Sequence, residues 1–305
     1  MAVAKKRMKN RNNAAYLFVL PFIIVFLIFS VYPVFRTLFL SFTTYKGYGE
    51  PGFTGLANYI RVVKDKFFWR SLYNTVKMWS LNIVLQLGLA FLLTIVFSDI
   101  KYKIRGLAIF RAVYYLPNLI AATSVAFLFK TLLDWKYGTV NQILLASGLV
   151  SEQINWLGQR STAWGVISVI QAWMWFGNSF IILMAGVQGI PSDYFEAAAI
   201  DGAGRWKVFG SITLPLLRPI LLYVAVTSLI GGLQLFDLPF LMNGAGGPST
   251  AGDPGGSLQT VVMYLYKFGF ETRQVGFASA IAYTLFFIIL FISVMEFKFL
   301  GGKEE

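Results

Sequence analysis

A chain of 305 residues that is 57% hydrophobic, 17% aromatic and only 13% charged carries about half the charge of a soluble domain, which averages about 25%. It cannot cover a water-facing surface, so the composition excludes a soluble globular protein and points to one built into a membrane. The net charge of +12 sits beside hydrophobic stretches rather than along one basic stripe, which excludes a nucleic-acid binder. The absence of cysteine and histidine removes thiol nucleophiles, disulfides, imidazole bases and the commonest zinc ligands.

A hydrocarbon core about 30 Å thick needs roughly 20 apolar helical residues, and six stretches qualify. They run from about Ala15 to Leu40, Leu72 to Phe97, Leu107 to Leu133, Ala163 to Val187, Leu216 to Met242 and Gly276 to Leu300. The fold class expected is therefore an all-α integral membrane protein with six transmembrane helices. Pro21, Pro33, Pro117 and Pro239 fall inside or at the ends of spans, where neighbouring helices can satisfy the carbonyls they free. The first apolar run is about twice the 7–15 residues of a signal peptide and lacks a small-residue cleavage site, so an uncleaved anchor is expected.

Lysine and arginine near span ends set orientation. Lys5, Lys6, Arg7, Lys9 and Arg11 crowd a basic tail at 1–14; Lys101, Lys103 and Arg105 fill the second connection; Arg205, Lys207 and Arg218 sit on the fourth. The alternate connections are longer and mix in Glu50, Asp65, Asp134, Glu152, Asp253 and Glu271, although Lys64, Lys66 and Arg70 lie against the trend. The balance predicts both termini in the cytoplasm, with a short tail at 301–305. The outer connections "YKGYGEPGFTGLANYI" and "NGAGGPSTAGDPGGS" are written in turn residues. Val140, Ile143, Leu144 and Leu145 carry helical spacing, so a short helix is expected between the third and fourth spans.

The cytoplasmic stretch "IPSDYFEAAAIDGAGRWKVFGSITLP" reads differently. Pro191 suits a first helical turn, Ser192 or Asp193 can cap it, and Asp193 and Glu196 favour its N-terminal end. Tyr194, Ala197, Ala198 and Asp201 recur at spacings of three and four, offering a narrow face of small side chains. Gly202 ends the helix where a left-handed residue is needed. Either the helix packs under its own bundle, or it is a knob for another protein's groove with Glu196 facing a cation.

Within that stretch, Glu196, Ala197, Ala198, Gly202, Ile212, Leu214 and Pro215 stand at the spacing E-A-A, three residues, Gly, nine residues, I-x-L-P. This resembles the signature loop of the membrane subunits of binding-protein-dependent ATP-binding-cassette importers. "LFLSFTTY", "FTGLANYI", "FFWRSLYNTV", "YGTVNQILLASGLV", "INWLG", "NGAGGPST" and "VGFASAIAYTLFF" are similar, in order and spacing, to the maltose-type sugar permeases, over residues 15 to 300.

The resemblance implies the type I importer fold and a permease domain at 15–300 with a coupling loop at 191–215. Within it, residues 192–201 dock on a cytoplasmic ATPase subunit, with Glu196 against a basic residue and Asp201 and Gly202 closing the helix. It implies a second homologous permease, two ATP-binding-cassette subunits, an extracytoplasmic sugar-binding protein and a prokaryotic cell membrane. No GxxxxGK[ST] pattern is present, so ATP and magnesium are expected on the ATPase subunits, with no cofactor on this chain and no enzymatic activity of its own.

Polar groups at lipid depth tend to face a cavity. Candidates are Asn118, Thr123, Gln171, Asn178, Thr227, Gln234 and Asp237, with Trp173, Trp175 and Phe236 available to stack on a sugar ring. The resemblance places sugar contacts at about Asn118, Gln171, Thr227 and Gln234, and the chain departs from it at Gly231, where a polar contact is expected. The alternative for each residue is an interhelical bond, worth about 0.6 kcal/mol on average in one measured system. Arg36 and Lys77 can reach the outer membrane surface and Arg111 the cytoplasmic one. A polyol, a glycerol phosphodiester or an amino acid stays open as the substrate. An ion-coupled transporter would want paired intramembrane carboxylates and repeated halves, whereas Asp237 stands almost alone and no internal repeat is visible.

Overall fold

The structure is a computed structural model that describes residues 16–97, 106–242 and 256–300. The basic tail at 1–14, the cluster Lys101, Lys103 and Arg105, most of "NGAGGPSTAGDPGGS" and the tail at 301–305 lie outside the described residues.

The described residues are almost entirely helical, with one isolated antiparallel bridge between Thr43 and Phe53. Five helices are long and apolar enough to span a membrane: α1 (Tyr16–Ser41), α3 (Lys66–Phe97), α7 (Arg160–Gln188), Arg218–Met242 and α13 (Val275–Leu300). They match five of the six expected spans to within a few residues at most boundaries. The exception is α3, which starts six residues earlier than expected because Asp65 caps it. The Asp65 Oδ1 accepts from the Phe67 N–H at 2.9 Å.

The expected third span is corrected in form. It is a pair, α4 (Leu107–Leu119) and α5 (Ala122–Leu132), bent by 86°. Ile120 and Ala121 leave the helical basin together, with ψ of 132° and 133°, so the axis turns where two successive peptides cannot make the i→i−4 bond. Counted as one, this pair brings the candidate spans among the described residues to six. The Arg218–Met242 span is likewise interrupted, into α10 (Arg218–Leu233) and α11 (Asp237–Met242).

Two compact units divide the chain. One comprises the N-terminal segment through Lys64 together with Phe268–Thr284. Here α1 buries none of its apolar window within the chain and is interrupted by a π turn at Leu27–Val31. Its end is tied to α2 (Ala57–Lys64): the Asn58 amide donates to the Ser41 and Thr43 carbonyls at 2.9 and 2.8 Å, and the Ser41 and Tyr59 hydroxyls meet at 2.7 Å. The first turns of α13 lie so close to the Thr43 carbonyl that a Cβ at Gly276 would overlap it, and the Tyr283 hydroxyl donates to the Val34 carbonyl at 2.6 Å.

The second unit comprises Asp65–Lys267 and Leu285–Glu305, and α3 and α7 form its centre. Polar ties cross between them: the Gln86 amide donates to the Ser179 hydroxyl at 2.7 Å, and the Ser168 hydroxyl to the Met78 carbonyl at 2.9 Å. Glycines let backbones approach where van der Waals packing must supply the adhesion that lipid does not. A Cβ at Gly177 would overlap the Tyr114 carbonyl of α4, and one at Gly232 of α10 would overlap the Trp79 ring of α3. Two apolar clusters result. One joins Met78, Ile167, Ile170, Leu238, Met242 and Leu258; the other joins Ala90, Phe180, Leu183, Met184, Val187 and Leu217.

The expected helix between the third and fourth spans is present as α6 (Thr139–Ala146). Its organising residue is Asn141, which is 1% exposed. The Asn141 amide donates to the Trp135 and Ile154 carbonyls at 3.0 and 2.9 Å, and its oxygen accepts from the Ile154 N–H at 3.3 Å and the Trp156 indole at 3.0 Å. One buried side chain thus closes the whole connection.

Candidate functional site: a capped helix between two spans

The stretch after α7 folds as expected into a short helix, α8 (Ser192–Ile200). Its start differs from the expectation. Pro191 itself occupies the N-cap position, and neither Ser192 nor Asp193 makes a capping bond. Proline at that position fixes the entry dihedral but offers the first N–H groups of the helix no side-chain acceptor.

The end is built as expected. Gly202 has φ +68°, its N–H donates to the Ala199 carbonyl at 3.2 Å, and the Ala203 N–H reaches back to the Ala198 carbonyl at 2.9 Å. This pair of bonds is the Schellman closure, which requires a left-handed residue after the cap. Nothing lies within 4 Å of a Cβ built on Gly202, so the position demands glycine for its backbone alone.

The expected face of small residues is split by burial. Ala198 is 6% exposed and points inward, and Phe195 packs against the Phe180, Leu183 and Leu217 cluster. Phe195 is thus an anchor that the alanine pattern concealed; an aromatic between two acidic positions was the available signal. Glu196, Ala197 and Asp201 are exposed, Tyr194 is half exposed, and Ile200 is 87% exposed. Glu196 forms no ion pair among the described residues. Ile200 and Glu196 stand one turn apart on the exposed side of α8.

Ile212, Leu214 and Pro215 do not belong to that surface. Helix Arg205–Val208 runs into a π turn at Phe209–Thr213 and a final turn at Leu214–Leu216. Within it Ile212 and Leu214 are half-buried and only Pro215 is exposed. Phe209 meets the Phe91 ring edge-on at 5.9 Å, and Leu217 is fully buried. This second half of the motif turns the chain into α10. Trp206, 72% exposed, is a further apolar group that sequence reasoning passed over.

The candidate pathway residues fall on separate strips. Gln171, Trp175 and Asn178 stand one turn apart on α7: Gln171 and Asn178 are half-buried and Trp175 is 42% exposed. Thr227 and Gly231 share the exposed face of α10, Gln234 is exposed at its C-cap, and Asp237 is exposed in the first turn of α11. A Cβ on Gly231 would meet open space. The Thr227 hydroxyl donates to the Tyr223 carbonyl of its own helix at 2.7 Å. Asn118 is half-buried near the end of α4. Thr123 is exposed on α5.

Three further side chains have defined surroundings. Trp173 is packed edge-on against Phe129 at 5.6 Å, and Phe236 stacks on Phe240 at 4.7 Å and meets the Tyr266 ring at a tilt at 5.3 Å. Arg111 does not reach water with its whole head group: Nε and Nη2 are buried without a partner among the described residues.

Helices long and apolar enough to cross a membrane, a bent pair at the expected third span and a short helix between two spans are the architecture of a multi-span membrane protein. Residues 3–297 match the family described as binding-protein-dependent transport system inner membrane component, and the chain belongs to that family. Among curated relatives it is 33% identical over 293 residues to the lactose transport system permease protein LacF of Rhizobium radiobacter, covering 95% of this chain and 94% of that one. It is 31% identical over 296 residues to the trehalose/maltose transport system permease protein MalF of Thermococcus litoralis, covering 96% and 95%. Among solved structures, a chain of a bacterial transporter that imports the acidic polysaccharide alginate superposes with a TM-score of 0.81 at 22% identity, over 99% of this chain and 100% of that one.

Proposed function

We propose that this chain is one of two permease subunits of an ATP-driven carbohydrate importer in a prokaryotic cell membrane, with both termini cytoplasmic. A second, similar permease completes the pathway, two cytoplasmic ATPase subunits bind ATP and magnesium, and an extracytoplasmic binding protein delivers the sugar.

The observation that carries this reading is the construction of α8. Phe195 and Ala198 root it in the bundle, Gly202 closes it, and Glu196, Ala197 and Ile200 are left uncovered. A helix held rigidly by one face and bare on the other passes force from a docked partner to the spans on either side. Closure of an ATPase dimer would pull on α8, and α7 and α10 would move with it. Both named relatives are sugar transport permeases, which supports carbohydrate as the cargo. The exposed groups Thr227, Gln234 and Asp237, and Gln171 and Trp175 on α7, are of the acceptor, donor and ring types that hydroxyl-rich ligands take.

The test is ATP hydrolysis by the reconstituted complex, with and without sugar-loaded binding protein, for wild type and Glu196→Ala. Loss of stimulation or of ATPase retention, with the permease still folded, is the expected result. Normal coupling by Glu196→Ala, with the ATPase retained, would remove the main support for the assignment.

A further inference from the structure

A cavity of about 550 Å³ opens in the unit formed by the N-terminal segment and residues 268–284, lined in part by Tyr45, Lys46, Tyr48, Arg61 and Arg273. Its size lies within the range of small-molecule sites, about 300–1,000 Å³. Three cations and no carboxylate line it among the described residues.

Two of these cations are held in place. The Arg61 guanidinium lies 3.8 Å from the centre of the buried Phe277 ring and 5.4 Å from that of Phe268, and it donates to the Gln274 side-chain oxygen at 2.8 Å. One donor is spent there, so most of its fork remains available. Arg273 has φ +53° and, among the described residues, is alone in combining a side chain with a positive φ. L-residues avoid that conformation unless the surroundings impose it, and such outliers gather at ligand sites. Here the Gln274 N–H is tied to the Phe268 carbonyl at 2.7 Å and the Gly276 N–H to the Tyr45 carbonyl at 2.9 Å. The chain on either side of Arg273 is thereby pinned.

The cavity also has a definite level. Its lining begins three residues beyond Ser41, where α1 ends, and spans Val275, where α13 begins. Apolar helix gives way to polar loop there, where side chains meet the head-group region of a bilayer, and a cation in that region attracts an anionic head group through its charge. We propose that this cavity binds the phosphate of an anionic phospholipid, with Arg61, Arg273 and Lys46 as its donors and the uncovered apolar surface of α1 beside the acyl chains.

The experiment is lipid retention by the full chain in its purified complex, read by native mass spectrometry in detergent. The probes are palmitoyl-oleoyl-phosphatidylglycerol, the matching phosphatidylcholine and millimolar inorganic phosphate. The test variant is Lys46→Gln with Arg273→Gly; glycine suits the positive φ, so the charge is removed without adding strain. The wild type is expected to retain phosphatidylglycerol over phosphatidylcholine and to keep it in phosphate. At about fivefold per cation near an anionic lipid, the double variant binds about 25-fold more weakly, with an unchanged melting temperature in lipid-free detergent. Equal retention by the variant, or equal retention of phosphatidylcholine, overturns the proposal. Displacement by inorganic phosphate assigns a free-anion site instead, and overturns the lipid. Unchanged lipid binding with loss of binding-protein affinity makes the cavity a protein contact, and overturns it as well.

Discussion

Replacing Gly202 by alanine isolates a single backbone dihedral. The residue holds φ at +68°, and a Cβ there meets no atom within 4 Å, so crowding contributes nothing to the cost. What remains is the penalty of the left-handed region for a residue with a side chain, about 1–2 kcal/mol. That energy falls on the closure made by the Gly202 and Ala203 N–H groups and not on the bundle core. A change of about 1–2 kcal/mol shifts an equilibrium by a factor of about 5 to 30. Amides at the end of α8 should therefore exchange with deuterium about that much faster in Gly202→Ala, read on peptides spanning the helix end, while peptides from α3 and α7 keep their protection. Gly202→Asn should fall between wild type and alanine, because asparagine tolerates this region better. Stimulation of the ATPase by loaded binding protein should weaken in the same order. Unchanged exchange at 202–203 in the alanine variant, or asparagine behaving worse than alanine, would refute the reasoning.

Other changes probe the packing around the helix. Phe195→Ala should cost about 1–2 kcal/mol, roughly half to two-thirds of a fully buried side chain, lowering the melting temperature slightly while ATPase coupling falls more than ATPase retention. Gly177→Ala forces a methyl group onto the Tyr114 carbonyl; overpacking of this kind costs about 1–3 kcal/mol, measurable as reduced thermal stability in detergent, and an unshifted melting curve would contradict the close approach of α4 to α7. For the Gln86–Ser179 bond, a cycle of Gln86→Leu, Ser179→Ala and the pair should give a coupling near 0.6 kcal/mol, the average for such bonds in membranes; a coupling indistinguishable from zero would mean the contact is not made. Asn141→Leu leaves the Trp135 and Ile154 carbonyls and the Trp156 indole without partners, each costing about 1–3 kcal/mol if it stays buried, and should open the 134–158 connection to protease.

Hydropathy and length alone placed five spans, because a stretch of about 20 apolar residues has no other stable home. The helix before Gly202 was also legible, since proline at its entry and glycine at its exit constrain dihedrals locally. The motif spacing carried the family. Local pattern could not decide which alanine faces inward, because Ala197 and Ala198 are chemically identical and only the anchoring of Phe195 in the Phe180–Leu217 cluster sets the rotation of α8. Nor could it show that the third crossing bends by 86°, since Ile120 and Ala121 are ordinary helix residues by composition. The roles of Asn141, Gly177 and Gly232 depend on groups distant in sequence, and an exposed Asp237 looks the same in a string of letters as a buried one. Composition and spacing determined that this chain lives in a membrane and carries a short, glycine-closed helix between two of its spans. Contacts between residues far apart in sequence decided which faces of its helices are left for something else to meet.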